Sequence, residues 1–322
     1  MPTDLSIQLG SLQLRSPIIV GSSPLTLDEI QRIALVSNGV GAMVLPSFPT
    51  RSDGEPECSV TGDFDNYLRQ IEKVSTQNPI PVFASFAGMA EPDCTDWPKR
   101  AESAGAAAIE ISLHHHVTNE TDPRRIEDSI VRLAETISHQ IEVPLFLKLT
   151  PNFTSISELA RRLNSHVQGL IMFGRSPVID MELDSLQLSM RWGLTPPGSI
   201  VQTIEPLMRT RNEYPKMPLI ACGGISTSMD LIKALICGAS GAMVTSEIYR
   251  SGAAVICQLR EGLARYMSDH GVGSISELHS LCPPLTEFRP QIETAVDFSE
   301  ATSTDPATGS KVPGDRFGHP IV

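Results

Sequence analysis

The sequence predicts a (β/α)8 TIM barrel, and three observations carry that prediction. Short apolar runs, suited to strands buried on both faces, alternate with helical stretches in about eight β–α units. Right-handed crossovers then put every helix outside a closed sheet. The last two strand ends, Gly223-Gly224 and Thr245-Ser246, offer glycine amides and hydroxyls where such barrels hold phosphate. A doubly wound open sheet is the other arrangement this alternation permits.

The elements follow in order. The apolar run 18–20 is the first strand, and Thr26, Asp28 and Glu29 open a helix that Asn38-Gly39 closes. Strand 42–45 precedes a helix over 64–76, and strand 81–86 precedes one over 97–104 that Gly105 stops. Strand 108–113 is followed by a long helix over 123–140 that starts at a proline, and strand 145–149 by a helix over 157–164. Strand 169–173 leads through an extended loop to a helix over 200–213. Strands 219–221 and 242–244 complete the set, with helices from Ser226 or Thr227 to near Gly238 and over 252–270. The stretch 175–197 exceeds a plain turn, and long strand-to-helix loops cover the mouth of a barrel, so it is expected to be a lid. From residue 283 apolar periodicity disappears among Pro, Thr, Ser, Asp and Gly. The barrel is therefore placed at 1–282, and 283–322 is read as an extended, disorder-prone tail.

Composition narrows the functional classes. The chain has 322 residues, 41% hydrophobic and 19% charged, as in an ordinary globular protein. A formal net charge of -12 argues against nucleic acid or an anionic membrane as the main partner. The six cysteines are scattered without a CxxC pair and read as reduced, mostly buried thiols. With no basic segment leading into an apolar run and no transmembrane-length stretch, the expected location is the cytoplasm. There is no G-x-x-x-x-G-K-[ST] loop and no G-x-G-x-x-G, so neither a nucleoside triphosphatase nor a Rossmann site is indicated.

Barrel chemistry sits at the C-terminal strand ends. Gly223-Gly224, the hydroxyls of Thr245 and Ser246 and the start of the helix after Gly224 form a candidate anion cradle; the plainer reading is a tight turn. Strand alternation sends Leu145 and Leu147 toward the helices and Phe146 and Lys148 toward the axis. A lysine there must meet an anion or do covalent chemistry, unless it snorkels out at the strand end. It could form a Schiff base, as in an aldolase or another phosphosugar barrel, or sit beside a flavin ring. Glu110, Ser112 and His114 share inward parity, while His115 faces inward only once the strand has turned into loop. Either histidine suits proton abstraction near neutral pH, and exposed loop histidines are the alternative. The run cannot ligate one metal, and no second cluster has metal spacing, so none is expected.

Several segments resemble the dihydroorotate dehydrogenase family in order and spacing. They are Leu12-Gln-Leu-Arg-Ser-Pro-Ile-Ile-Val, Ile109-Glu-Ile-Ser-Leu, Val143-Pro-Leu-Phe-Leu-Lys-Leu-Thr-Pro, Ala221-Cys-Gly-Gly-Ile and Gly238-Ala-Ser-Gly-Ala-Met-Val. Phe173-Gly-Arg, Ile179-Asp-Met-Glu-Leu, Met190-Arg-Trp and Ser274-Ile-Ser-Glu-Leu are similar to a divergent bacterial branch of that family. The likeness spans residues 5–281. It implies FMN as cofactor, with its phosphate at Gly223, Gly224, Thr245 and Ser246, Lys148 at the flavin ring and Gly21-Ser22 beneath it. It also implies the family reaction, in which a base takes a proton from C5 of dihydroorotate while hydride passes from C6 to flavin N5, and a homodimer. The family's Cys or Ser base falls at His115, its orotate-holding asparagines at Ser112 and Val117, and its strand-two lysine at Pro46. The barrel and phosphate site are thus kept while the dihydroorotate pocket is largely rewritten. The quinone-linked class's apolar membrane-docking extension has no counterpart, and no iron–sulfur motif or NAD site marks the electron acceptor. A non-catalytic flavin-binding protein is the reading from a different class.

Overall fold

A computed structural model describes residues 3–49, 63–88, 96–113, 122–175, 178–284, 303–304 and 311–312. The chain divides into two units, Met1–Cys282 and Pro283–Val322. The first opens with β1 (Ile7–Leu9) and β2 (Leu12–Leu14), an antiparallel hairpin. There follow β3 (Ile18–Val20), α1 (Glu29–Ser37), β4 (Ala42–Val44), β5 (Phe48–Pro49), α2 (Phe64–Gln77), β6 (Val82–Ala87) and α3 (Trp97–Ser103). Next come β7 (Ala108–Ser112), α4 (Pro123–Ser138), β8 (Leu145–Leu149), α5 (Ile156–Leu163) and β9 (Gly169–Met172). A second hairpin, β10 (Val178–Glu182) and β11 (Gln187–Arg191), precedes α6 (Val201–Glu213) and β12 (Leu219–Cys222). The unit ends with α7 (Ser228–Ile236), β13 (Gly241–Val244), α8 (Ser246–Ser251), α9 (Ala254–Asp269) and α10 (Ile275–Leu278).

Eight parallel strands close the barrel in the order β3, β4, β6, β7, β8, β9, β12, β13, with β13 pairing back onto β3. An open doubly wound sheet is ruled out by that closure. Every residue of β3, β4, β7, β8, β9 and β13 is buried, as strands between a filled interior and a helical coat must be. Inside, the rings of Phe83 and Phe146 stack 5.8 Å apart, one layer below the inward-facing Ser85 and Lys148. Outside β6, Tyr67, Phe48, Phe64, Phe86 and Trp97 form an aromatic cluster under α2 and α3.

Several boundaries differ from the sequence reading. The expected last helix over 252–270 is α9, and an additional short helix not expected from the sequence, α8, precedes it directly after β13. The β1–β2 hairpin went unread; it lies below the barrel, with Ile7 against the start of β13 at Gly241. Part of the expected lid is the β10–β11 hairpin, which exposes Ile179, Met181, Leu183, Leu186 and Leu188. Its neck is fastened by Arg175, which stacks 5.1 Å from the Trp192 ring and donates to Gly193 O at 2.9 Å. In the second unit Ser303–Thr304 pairs antiparallel with Lys311–Val312; the rest of the expected tail beyond residue 284 lies outside the described residues. Among the described residues, no helix is long and apolar enough to cross a membrane.

Candidate active site

The C-terminal ends of β3, β8, β9, β12 and β13 surround a cavity of about 240 Å3. Lys148 reaches it from β8, and strand parity has the consequence expected of it: the ammonium meets an anion. That anion belongs to the chain itself. Glu110 Oε1 lies 3.5 Å from Lys148 Nζ, with the carboxylate fully buried and the lysine side chain 10% exposed. The β7–β8 register, Glu110 opposite Phe146 and Ser112 opposite Lys148, brings the two charges onto one inner surface. Burial works against the ammonium, but the neighbouring Glu110 carboxylate outweighs it and lifts the Lys148 pKa above the ordinary lysine value.

Glu110 also ends a chain of hydroxyls. Ser85 Oγ donates to Glu110 Oε1 at 2.8 Å, Ser47 Oγ lies 2.7 Å from Ser85 Oγ, and Ser22 Oγ lies 3.0 Å from Ser47 Oγ. A carboxylate only accepts, so Ser85 spends its proton on Glu110, Ser47 on Ser85, and Ser22 on Ser47. The oxygen of Ser22, which lines the cavity, is left as an acceptor. Tyr67 braces the chain from outside, its hydroxyl donating to Ser85 O at 3.0 Å and accepting from Ser85 N at 2.9 Å. Ser23 also lines the cavity. Among the described residues, its Oγ and Glu110 Oε2 are buried without a hydrogen-bond partner.

The other end of the cavity is built by β12 and β13. Gly223 (φ 91) and Gly224 (φ 74) both take the left-handed conformation that favours glycine. Their surroundings differ. A Cβ on Gly223 would meet only Phe173 O at 3.5 Å and Thr195 Cγ2 at 3.6 Å, whereas one on Gly224 would run into Ser199 Oγ and Ile200 N. Gly224 thus admits the loop before α6, while Gly223 is the glycine with space beside it. The start of α7, expected to face an anion, is already closed by one: Asp230 Oδ2 accepts from the amides and hydroxyls of both Ser226 and Thr227. Burial opposes that charge, yet these four hydrogen bonds hold the Asp230 carboxyl below the usual carboxylate range.

Thr245 packs its hydroxyl into the space that a side chain on Gly21 would fill, and Gly21 N donates to Val244 O at 3.3 Å. Ser246 Oγ accepts from Thr195 N at 3.0 Å, so its own proton stays free to donate outward. Arg250, from α8, donates to Thr195 O and lines the same cavity. Thr195 and Arg250 are functional candidates that the sequence reading missed. Cys222 lies beside Lys148, and burial pushes its thiol up, which disfavours a thiolate role. The four cysteines Cys222, Cys237, Cys257 and Cys282 among the described residues are free thiols of intermediate burial. His114, His115 and Val117 lie outside the described residues. Among the described residues, no group of three or more His, Cys, Asp or Glu side chains could hold a metal ion.

A family model described as "Dihydroorotate dehydrogenase" matches residues 61–267, more than half of the chain. The chain belongs to the dihydroorotate dehydrogenase family. It is 25% identical over 301 residues to the dihydroorotate dehydrogenase B (NAD(+)) catalytic subunit of Thermoplasma volcanium, covering 86% of this chain and 97% of that protein. It is 24% identical over 300 residues to dihydroorotate dehydrogenase A (fumarate) of Lactobacillus delbrueckii subsp. bulgaricus, covering 84% and 96%. The dihydroorotate dehydrogenase B (NAD(+)) catalytic subunit of Thermococcus kodakarensis is 24% identical, with 86% and 97% covered. Members of this family are flavoproteins with a TIM barrel, the architecture described above.

Two predictions follow from the buried polar groups. Lys148→Ala is expected to destabilise the protein by about 3–5 kcal/mol, because it leaves Glu110 buried without its counter-charge, while Lys148→Met combined with Glu110→Gln is near neutral or stabilising. Urea unfolding measures both. The raised Lys148 pKa makes the pair's contribution complete below the ordinary lysine value of 10.5 and lost as pH climbs beyond it, so wild type should fall relative to the double variant only at such alkaline pH. Ser23→Ala should raise the stability of the ligand-free protein by about 1 kcal/mol, since it deletes a buried hydroxyl that has no partner. A clear loss of stability would show that this hydroxyl is satisfied in the free protein.

Proposed function

We propose that this protein is an FMN-dependent oxidoreductase acting on a CH–CH bond, with the FMN phosphate at the ends of β12 and β13 and the flavin ring beside Lys148. The observation that supports this most is a single cavity with a fixed cation at one end and an anion cradle at the other. The residues fit the group. Gly223 leaves its backbone uncovered, Ser246 has a free donor, Arg250 adds a guanidinium that is also paired with Glu247 at 3.2 Å, and Thr245 sits against Gly21. The cavity of about 240 Å3 is smaller than the roughly 300–1,000 Å3 of small-molecule pockets. Its described walls come from one side of the mouth only; 50–62, 89–95 and 114–121, after β5, β6 and β7, lie outside the described residues.

When bound, FMN supplies the hydride acceptor for carbon oxidation. The chain's own groups do the rest. Lys148, held charged by Glu110, brings its ammonium to the floor, its charge partly offset by that carboxylate. Gly21 and Ser22 would hold the ring, and the Ser22 hydroxyl oxygen would serve as an acceptor. The base that takes the substrate proton is assigned to His115, with His114 as the neighbour to be separated from it. The charged state of Lys148 counts against a Schiff-base aldolase, whose lysine needs a lowered pKa to supply neutral amine.

Substrate is a separate matter. Dihydroorotate is not the proposed native substrate, because Ser112, Val117 and Pro46 stand where the resemblance places polar ring-holding side chains. Each partner lost from such a site leaves a polar group unsatisfied, at about 1–3 kcal/mol apiece. The lid region supplies new side chains at the mouth instead, with Leu194 and Thr195 lining the cavity.

Purified protein mixed with FMN should take up the flavin and show its bound absorption spectrum. Arg250→Ala should weaken FMN binding about tenfold or more while leaving riboflavin, which has no phosphate, nearly unchanged. No flavin uptake, or an equal loss for both ligands, would overturn this placement. Borohydride trapping of a carbonyl compound on Lys148 would instead favour the aldolase. Anaerobic mixing of the FMN-loaded protein with micromolar dihydroorotate is expected to leave the flavin oxidised. Rapid bleaching would make dihydroorotate the substrate.

A further inference from the structure

The cavity floor raises a question that the flavin placement alone does not answer: why a lysine meant to face a ligand carries a buried counter-ion of its own. Glu110 is fully buried, 3.5 Å from Lys148 Nζ, and its second oxygen has no partner among the described residues. A carboxylate in such a place is unfavourable unless other groups need it there. Two sets of groups do. On one side it balances Lys148. On the other it anchors Ser85, Ser47 and Ser22, and its inability to donate fixes the direction of all three hydroxyls.

We infer that Glu110 is a positioning residue that sets both the charge and the hydrogen-bond polarity which the cavity floor presents to a flavin ring. This inference rests on the FMN reading. With Glu110 in place the floor carries one positive and one negative charge in contact, so Lys148 stabilises an anionic reduced ring only in part. The same carboxylate turns Ser22 outward as an acceptor, suited to an N–H edge of the ring rather than to a carbonyl oxygen. Replacing the carboxylate by an amide changes both properties together: the floor gains a net positive charge, and the amide can donate to Ser85, which releases the hydroxyl chain to run in the opposite direction.

The test is the midpoint potential of FMN bound to the full-length protein. Glu110→Gln should shift it positive by at least about 30 mV, a tenfold change in the preference for reduced over oxidised flavin for a two-electron couple. Glu110→Gln combined with Lys148→Met removes both charges and should return the potential to within that margin of wild type. Glu110→Asp, which keeps the charge but retracts it by one methylene, should give a smaller shift of the same sign and guards against a Gln variant that fails to fold. FMN bound with an unchanged potential in Glu110→Gln and Glu110→Asp overturns the inference while leaving the flavin reading intact. An equal shift in the single Gln variant and the double variant also overturns it, because packing rather than charge would then be responsible. A wild-type protein that binds no FMN overturns the flavin reading, and the inference with it.

Discussion

The contact between Lys148 and Glu110 is the constraint on which the rest of the site depends. Two opposite charges inside a closed barrel are tolerable only together, and each limits what its neighbours can do. Glu110 requires a donor, which Ser85 provides. Ser85 requires one in turn, which Ser47 provides, and the demand passes across the inner wall to Ser22. Lys148 packs its stem against Gly174 and reaches the cavity with its ammonium. Strand register enforces all of this: a slip of one residue between β7 and β8 would turn either the acid or the base out toward the helices.

The opposite end of the cavity follows a different logic, in which backbone shape matters more than charge. Gly223 and Gly224 look equivalent in the chain, yet the first keeps an open side while the second makes room for Ser199 and Ile200. The start of α7 is neutralised internally by Asp230, so the guanidinium nearest the β12 and β13 ends is that of Arg250, itself paired with Glu247 at 3.2 Å, with Arg175 lining the same cavity. This site therefore combines an uncovered glycine, a hydroxyl with its proton free and a guanidinium, rather than an open helix end.

Most of the barrel was legible in the chain because it rests on local pattern: doubly buried apolar runs, acidic or proline starts to helices, and glycine or asparagine ends. Lys148 was legible for the same reason, since parity within one strand gives its direction. Its partner was not. Glu110 meets Lys148 only through the pairing of two strands distant in sequence, and Ser22, Ser47 and Ser85 come from three further strand ends. The closure of α7 is written in the chain as the capping-box spacing of Thr227 and Asp230, although the preceding glycines by themselves suggest an open helix start. The two hairpins had readable alternation as well, Ile7 and Leu9 against Leu12 and Leu14, and Ile179 and Met181 against Leu188. Arg250 and Thr195 left no such mark, since a short helix and a loop acquire their meaning only where they meet.

The meeting of Thr195 with Ser246 and Arg250 has a thermodynamic consequence. The loop that follows the β10–β11 hairpin is fastened by two of the groups assigned to hold an anion, so loop docking and ligand binding share their anchors. Any affinity observed for this cavity is then a net quantity, the intrinsic attraction adjusted by whatever the loop gains or loses in the same event. Changes in the length or stiffness of residues 175–197 would register as changes in affinity without altering a single atom that touches the ligand. The hairpin at the outer end of that segment, with its apolar side chains in water, is therefore coupled to the cavity through the strand of backbone between them.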